Sequence, residues 1–163
     1  MLIRQAQPTD LANIMPIIDA ARGIMRSDGN NGQWTNGYPS TEVIAADIAQ
    51  GHGFVCIDGD AMVGYFALLA GPDPTYARID DGQWIDTDAP YYVMHRLAST
   101  ASSHGVFNAA MHYAFGVCPN LRVDTHRHNR IMHRKLQAYG FVRCGIIYLA
   151  NGDERIAYQR VVR

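Results

Sequence analysis

His95, Tyr92 and Asp124 are the side chains whose types and positions suit proton transfer. His95 lies in the β-rich run Tyr91–Ser99 (YYVMHRLAS), and an imidazole of ordinary pKa ~6.5 can take or relay a proton near neutral pH. A hydrogen-bonded structural histidine is the competing reading. Tyr92 shares that run, and Asp124 lies near the end of the run Leu121–Thr125. Two strand-to-helix handovers offer binding groups. In Leu97–Asn108 (LASTASSHGVFN), small residues let the backbone approach a ligand, and unpaired N–H groups at a helix start bind phosphate oxygens. In Asp124–Met132, Asn129 can cap the helix or hydrogen-bond a ligand. His126, His128 and His133 have a spacing that could reach one metal ion. No Cys or carboxylate cluster completes the set, so no metal is expected. Cys144 lacks any His/Asp spacing that would make it a nucleophile.

The elements that must position these groups follow from periodicity and punctuation. Met1–Ala6 alternates as a strand. Pro8-Thr9-Asp10 opens a helix with Thr9 as its N-cap, and Leu11, Ile14, Met15, Ile18, Ala21 and Met25 form the inward stripe. Pro16 within that stripe predicts a bent helix or two pieces. The polar loop 27–39 carries Gln33, Trp34 and Tyr38; Trp34 either packs back on the core or walls a ligand. A short helix runs from Ser40 to a stop at Gly51, and Asp58-Gly59 turns a hairpin within 53–71. The connector 72–90 holds Asp73, Asp80, Asp81, Asp86 and Asp88 and reads as a solvated loop. After the strand Tyr91–Ser99 come a buried helix Gly105–Gly116, a strand Leu121–Thr125 and a helix Asn129–Tyr139 capped by Gly140. Cys144–Ala150 and Arg155–Val161 form a second hairpin at Asn151-Gly152. The order β-α-α-β-β-β-α-β-α-β-β is a mixed α/β (α+β) architecture.

Composition bounds the function classes. At 163 residues, 48% hydrophobic and 18% charged, the chain reads as one globular domain over 1–163. No apolar run approaches the ~20 residues that span a bilayer, and no signal pattern opens the chain, so no membrane partner and a cytoplasmic location are expected. Cys56, Cys118 and Cys144 are widely spaced and read as reduced, buried thiols. Net charge is −1 but unevenly placed. Residues 1–103 hold five Arg and twelve Asp/Glu, whereas residues 104–163 hold nine Lys/Arg and three Asp/Glu. Such a division favours an anionic ligand on one half and a cationic one on the other. Nucleic acid is disfavoured, because the whole chain is not basic and carries no reader motif.

On this element order the chain resembles the GNAT family of N-acetyltransferases from the first strand to the last. The family's acyl-CoA motif, Arg/Gln-x-x-Gly-x-Gly/Ala after the central strand, falls on Ser102-Ser103-His104-Gly105-Val106-Phe107. Only Gly105 fits, with Ser102 replacing Arg/Gln and Phe107 replacing the second small residue. A branch of the family carries HR before the motif, RxDTHxxN after it, a Met three positions past the Asn, and a closing GF. Here these are His95-Arg96, Arg122, Asp124-Thr125-His126, Asn129, Met132 and Gly140-Phe141. Gly32-Gln33-Trp34 and Gly37-Tyr38-Pro39 resemble the same branch.

The resemblance implies a central twisted sheet of about seven strands flanked by about four helices. It also implies transfer of an acetyl group from acetyl-CoA to a primary amine of a small molecule or peptide. Backbone groups of Leu97, Ala98 and Ser99 would pair with the pantetheine arm. N–H groups of His104, Gly105, Val106, Phe107 and Asn108 would hold the pyrophosphate, and Asn129 and Met132 would contact the CoA arm. Trp34 and Tyr38 would bind the acceptor, and the acidic connector would favour a cationic amine. The family's usual acid, a Tyr seven residues past the Asn, is Leu136 here, so that role does not carry over. The departures at Ser102, Phe107 and Leu136 leave a non-catalytic acyl-CoA sensor as the alternative. A homodimer is the assembly kept open.

Overall fold

Alternating apolar residues and two glycine turns draw seven strands into one sheet, which the computed structural model describes over all 163 residues. The elements are β1 (Leu2–Gln5), α1 (Leu11–Ser27), α2 (Thr41–Ala49), β2 (Gly53–Asp58), β3 (Ala61–Ala70) and β4 (Tyr92–Ser99). They continue as α3 (Val106–Val117), β5 (Asn120–Thr125), α4 (Arg130–Ala138), β6 (Val142–Tyr148) and β7 (Glu154–Val161). This is the order expected from the sequence. The strands lie side by side as β1-β2-β3-β4-β5-β7-β6, and only β4 and β5 run parallel. Their pairing is short. Tyr92 sits beside Leu121 and Val93 beside Arg122, and beyond that point the two strands separate.

Three apolar clusters hold the sheet. On one face α3 and α4 cover Phe66, Met94, Leu121 and Tyr158, with Met111 and Leu136 fully buried between. On the other, α1 and α2 cover Val55, Tyr65 and Ala98. The third lies beneath the connector, where Tyr76 and Trp84 pack on Val93, Ile147 and Ala157. No helix is long and apolar enough to cross a membrane.

The structure corrects three local expectations. Asp10, not Thr9, secures the entry to α1, because its carboxylate accepts from the Gln7 N–H at 2.7 Å and from both ends of the Arg4 fork at 2.8 and 2.9 Å. Helix α1 is neither two pieces nor interrupted at Pro16, which lies on its exposed side. The carbonyl that Pro16 leaves unpaired is that of Ala12, also exposed, so water satisfies it. The connector 72–90 is not simply solvated. Arg122 is sandwiched between the rings of Trp84 (4.0 Å) and Tyr91 (3.8 Å) and donates to the Asp86 carbonyl at 2.9 Å. Gln159 adds an acceptor for the Ile85 N–H at 2.8 Å. Buried aromatic and polar contacts therefore clamp this segment to the sheet.

Candidate active site

The site begins where β4 distorts. Between Tyr65–Ala67 on β3 and Ala98–His95 on β4 the register shifts by one residue, and Arg96 takes φ +55°. Such a bulge re-aims side chains, and here two consecutive ones leave the α3 face together. His95 reaches the connector, and Arg96 reaches α2. The His95 Nε2 lies 3.0 Å from Asp73 Oδ2, and Nδ1 has no protein partner. Asp73 is itself fixed, accepting from the Thr75 N–H at 3.0 Å and the Thr75 hydroxyl at 2.8 Å. Burial works to raise its pKa, but the hydrogen bonds from His95 and Thr75 outweigh it and hold the carboxyl at about 2. An ionised Asp73 accepts Nε2–H and leaves the lone pair of the neutral ring on Nδ1.

Arg96 is neutralised within the protein. It forks onto Asp47 at 2.8 and 2.6 Å and donates to the Tyr38 hydroxyl at 2.9 Å, while Tyr65 donates to the same carboxylate at 2.7 Å. Burial works against the guanidinium charge, but Asp47 and Tyr38 more than offset this and raise its pKa. The left-handed backbone at Arg96 is thus locked by a buried ion pair.

Beyond the end of the β4–β5 pairing opens a cavity of about 440 Å³. His95, Arg96 and Asp73 line it, together with Asp124, Asp153 and Arg155. Asp124 accepts from the Tyr76 hydroxyl at 2.6 Å, and burial followed by the Asp124 charge keeps that phenol neutral by raising its pKa. Trp34 and Tyr38 form one wall. Both readings of Trp34 hold, since it is buried with the α1–α2 cluster and also faces the cavity. The loop is ordered because α1 holds its carbonyls. Arg26 donates to those of Asn30 (2.7 Å) and Trp34 (2.8 Å), and Arg22 to that of Tyr38 (3.0 Å).

A second, narrower cavity of about 120 Å³ adjoins the first and shares Met25, Leu97, Asn129 and Met132 with it. It passes between α1 and α4 along Ala98, Ser99, Val106 and Phe107. Beyond Val93 the edge of β4 toward β5 has no strand partner, so backbone groups there are free to pair with an extended ligand. The N–H groups of His104 to Asn108 make no hydrogen bond within the protein. Gly105 caps α3 at φ +83°, and no atom lies within 4 Å of where a Cβ would stand on it. Phe107 turns inward, edge-on to Tyr139 at 5.9 Å, and leaves these donors uncovered. Free donors at a helix start, an open strand edge and an apolar groove together fit a phosphate-bearing thioester with an amide-containing arm.

The candidate residues are thus partly assembled and partly dispersed. His95, Asp124, Asn129, Met132, Leu97, Trp34 and Tyr38 line the larger cavity; Ala98, Ser99, Val106 and Phe107 line the smaller. Tyr92 lines neither and packs against the α3 cluster. Asn129 is the N-cap of α4, accepting from the Met132 N–H at 3.1 Å and donating to Gln33 at 2.9 Å. Its polar groups are therefore already engaged in holding the cleft wall together. Within the acidic connector only Asp73 reaches the cavity; Asp80 pairs with Arg78, and Asp86 caps its own turn. His133 spends both ring nitrogens on Tyr158 and the His126 carbonyl, and no three His, Cys, Asp or Glu side chains converge as a metal site. Leu136 is fully buried. Sequence reasoning singled out none of Asp73, Asp47, Gln33, Asp153 or Arg155 as an individual site residue. Only Asp73 left a local signal, since Asp-Pro-Thr is the pattern of a side-chain-capped turn.

No protein-family model and no curated protein matches the chain. Solved structures do. An acetyltransferase of the GNAT family from Streptococcus agalactiae 2603 matches with a TM-score of 0.90 at 30% identity, covering 99% of this chain and 95% of that one. A GNAT-superfamily phosphinothricin acetyltransferase from Sinorhizobium meliloti, in complex with AcCoA, matches with a TM-score of 0.64 at 18% identity, over 99% of this chain and 88% of its own. A ribosomal-protein-alanine N-acetyltransferase from Brucella melitensis gives 0.65 at 14% identity, over 99% and 100%. The latter two share the fold. With the coverage and identity of the first, this chain belongs to the GNAT family of acetyltransferases.

Proposed function

We propose that residues 1–163 form a single acyl-CoA N-acyltransferase-like domain that acetylates a primary amine of a small molecule or peptide by direct attack in a ternary complex. The observation that carries this reading is the Asp73–His95 pair in the wide cavity, which the narrow cavity adjoins along Met25, Leu97, Asn129 and Met132. The narrow cavity and the start of α3 are assigned to acetyl-CoA, through the backbone of Leu97 to Ser99 and the N–H groups of His104 to Asn108. The wide cavity is assigned to the acceptor. Acetyl-CoA supplies an acyl thioester, an activated carbonyl with a thiolate as leaving group.

The chain's own residues prepare the amine. An amine of lysine-like pKa ~10.4 is mostly protonated at pH 7 and cannot attack until it loses a proton. Asp73, Asp124 and Asp153 favour entry of the cation, which keeps the expected preference for a cationic amine but narrows the connector's part in it to Asp73. His95 Nδ1 then takes the proton, and Asp73 stabilises the imidazolium. Three free, buried cysteines accord with a reducing cytoplasm.

Thiol release from acetyl-CoA across an amine panel tests the reading. Saturable turnover is expected, with kcat/KM rising with pH along a one-proton limb. In His95→Gln that limb disappears and kcat falls by roughly 100-fold or more. Tight CoA binding without thiol release on any amine would instead establish the sensor alternative.

A further inference from the structure

The wide cavity contains one cation that no carboxylate of the protein pairs with directly. Arg155 is 8% exposed, yet none of the six ion pairs in the structure involves it. Its only hydrogen bond to the protein runs from Nη1 to the Glu154 carbonyl at 2.8 Å, so Nε and Nη2 have no protein partner. Asp124 and Asp153 are near enough to favour its charge, but neither comes within ion-pair distance, and burial prevails to lower its pKa. Burial first, and the Arg155 charge second, also depress His126, so the positive field is felt by its neighbours. The contrast with Arg96 is direct. Both arginines line the same cavity, but Arg96 is forked onto Asp47 and Arg155 faces space. A buried guanidinium without a counter-ion is costly, and the cost is relieved when a ligand supplies the anion.

The strand register sets where this charge stands. Asp124 on β5 pairs with Ala157 on β7, and Arg155 lies two residues along β7, on the same face of the sheet. That is the face on which His95 meets Asp73. The cavity therefore has a proton-accepting end at His95 and an anion-accepting end at Arg155.

We propose that the acceptor is an amine that also bears a carboxylate, and that Arg155 is the residue that selects for it by a forked, charge-assisted hydrogen-bond pair. The proposal rests on the acetyltransferase reading and narrows its substrate to the amino-acid class. A carboxylate on Arg155 and an ammonium near Asp73 match both signs of charge within one cavity.

The experiment measures thiol release by the full chain with α-, β- and ω-amino acids, each beside its own carboxamide, using acetyl-CoA as donor. For the accepted amino acid, kcat/KM should exceed that of the carboxamide by roughly 10- to 100-fold, mostly through KM. The bias of the assay runs the other way, since a carboxamide leaves its amine less basic. In Arg155→Gln the ratio should fall toward one, and in Arg155→Lys, which keeps charge but not the fork, part of the way. Arg155→Lys alone carries the comparison if the glutamine variant does not fold. Equal turnover of carboxylates and carboxamides by the wild type, or a ratio unchanged in the variants, overturns the proposal while leaving the acetyltransferase reading intact. Absence of thiol release with every amine offered defeats that reading, and the proposal with it.

Discussion

At the residue level, the proposed mechanism turns on a histidine paired with a carboxylate 22 positions away. His95 could be singled out from sequence because an imidazole of ordinary pKa ~6.5 on the central strand suits proton transfer. Asp73 was not, being one of five aspartates in a segment that looked solvated. What distinguishes it is tertiary: Thr75 holds its carboxylate, and the clamped connector carries it to β4. The sign of its pH linkage follows from its lowered pKa. Stability contributed by ionised Asp73 is fully present above the ordinary value of 3.8 and is lost as pH falls toward about 2. Asp73→Asn should therefore be less stable than wild type near neutral pH. It should also lose less stability than wild type between pH 4 and 2, as measured by denaturant melts across that range. Equal acid sensitivity in the two proteins would count against the assigned pair.

At the scale of elements, one irregularity makes the site. A regular β4 would alternate His95 and Arg96 between faces; the bulge sends both to the same side, and the Arg96–Asp47 ion pair holds it there. Two helix caps were read from local residues, although the one expected at Thr9 fell instead to Asp10. Ser40 accepts from the Val43 N–H and Asn129 from the Met132 N–H, as polar residues before apolar periodicity predict. The second contact of Asn129, to Gln33 on a loop nearly a hundred residues earlier, could not be read locally. Asn129→Ala removes both the cap and the tie across the cleft. It should cost about 1–2 kcal/mol, or roughly 2–8 °C in Tm, and raise the KM for acetyl-CoA. Calorimetry with steady-state kinetics checks this. An unchanged KM beside a lowered Tm would confine Asn129 to a structural role.

At the scale of the whole molecule, Arg122 links the sheet to the chemistry. The sequence placed it in a recognisable pattern without saying what it does. The structure puts its guanidinium between Trp84 and Tyr91, with a donor to the Asp86 carbonyl, at the base of the segment that carries Asp73. Arg122→Met keeps bulk but removes the charge from the aromatic stack. The stack and hydrogen bond together predict a loss of about 2–4 kcal/mol, a visible drop in Tm, and a lower kcat because Asp73 is less firmly held. Thermal melts and turnover should move together; a stable but inactive variant would mean that Arg122 acts on the site by another route.

Element order, both hairpins and the two strand-to-helix handovers could be read from the chain alone, because apolar period, glycine turns and polar caps act over a few residues. Residue types also marked His95 and the start of α3 as places for chemistry. Which groups meet is set by the fold. The early end of the β4–β5 pairing, the bulge at Arg96, the partnership of Asp73 with His95 and the lack of one for Arg155 arise from contacts between distant segments. Local propensity carries no information about such contacts, because their free energy exists only once the sheet, the connector and the first loop close around one cavity.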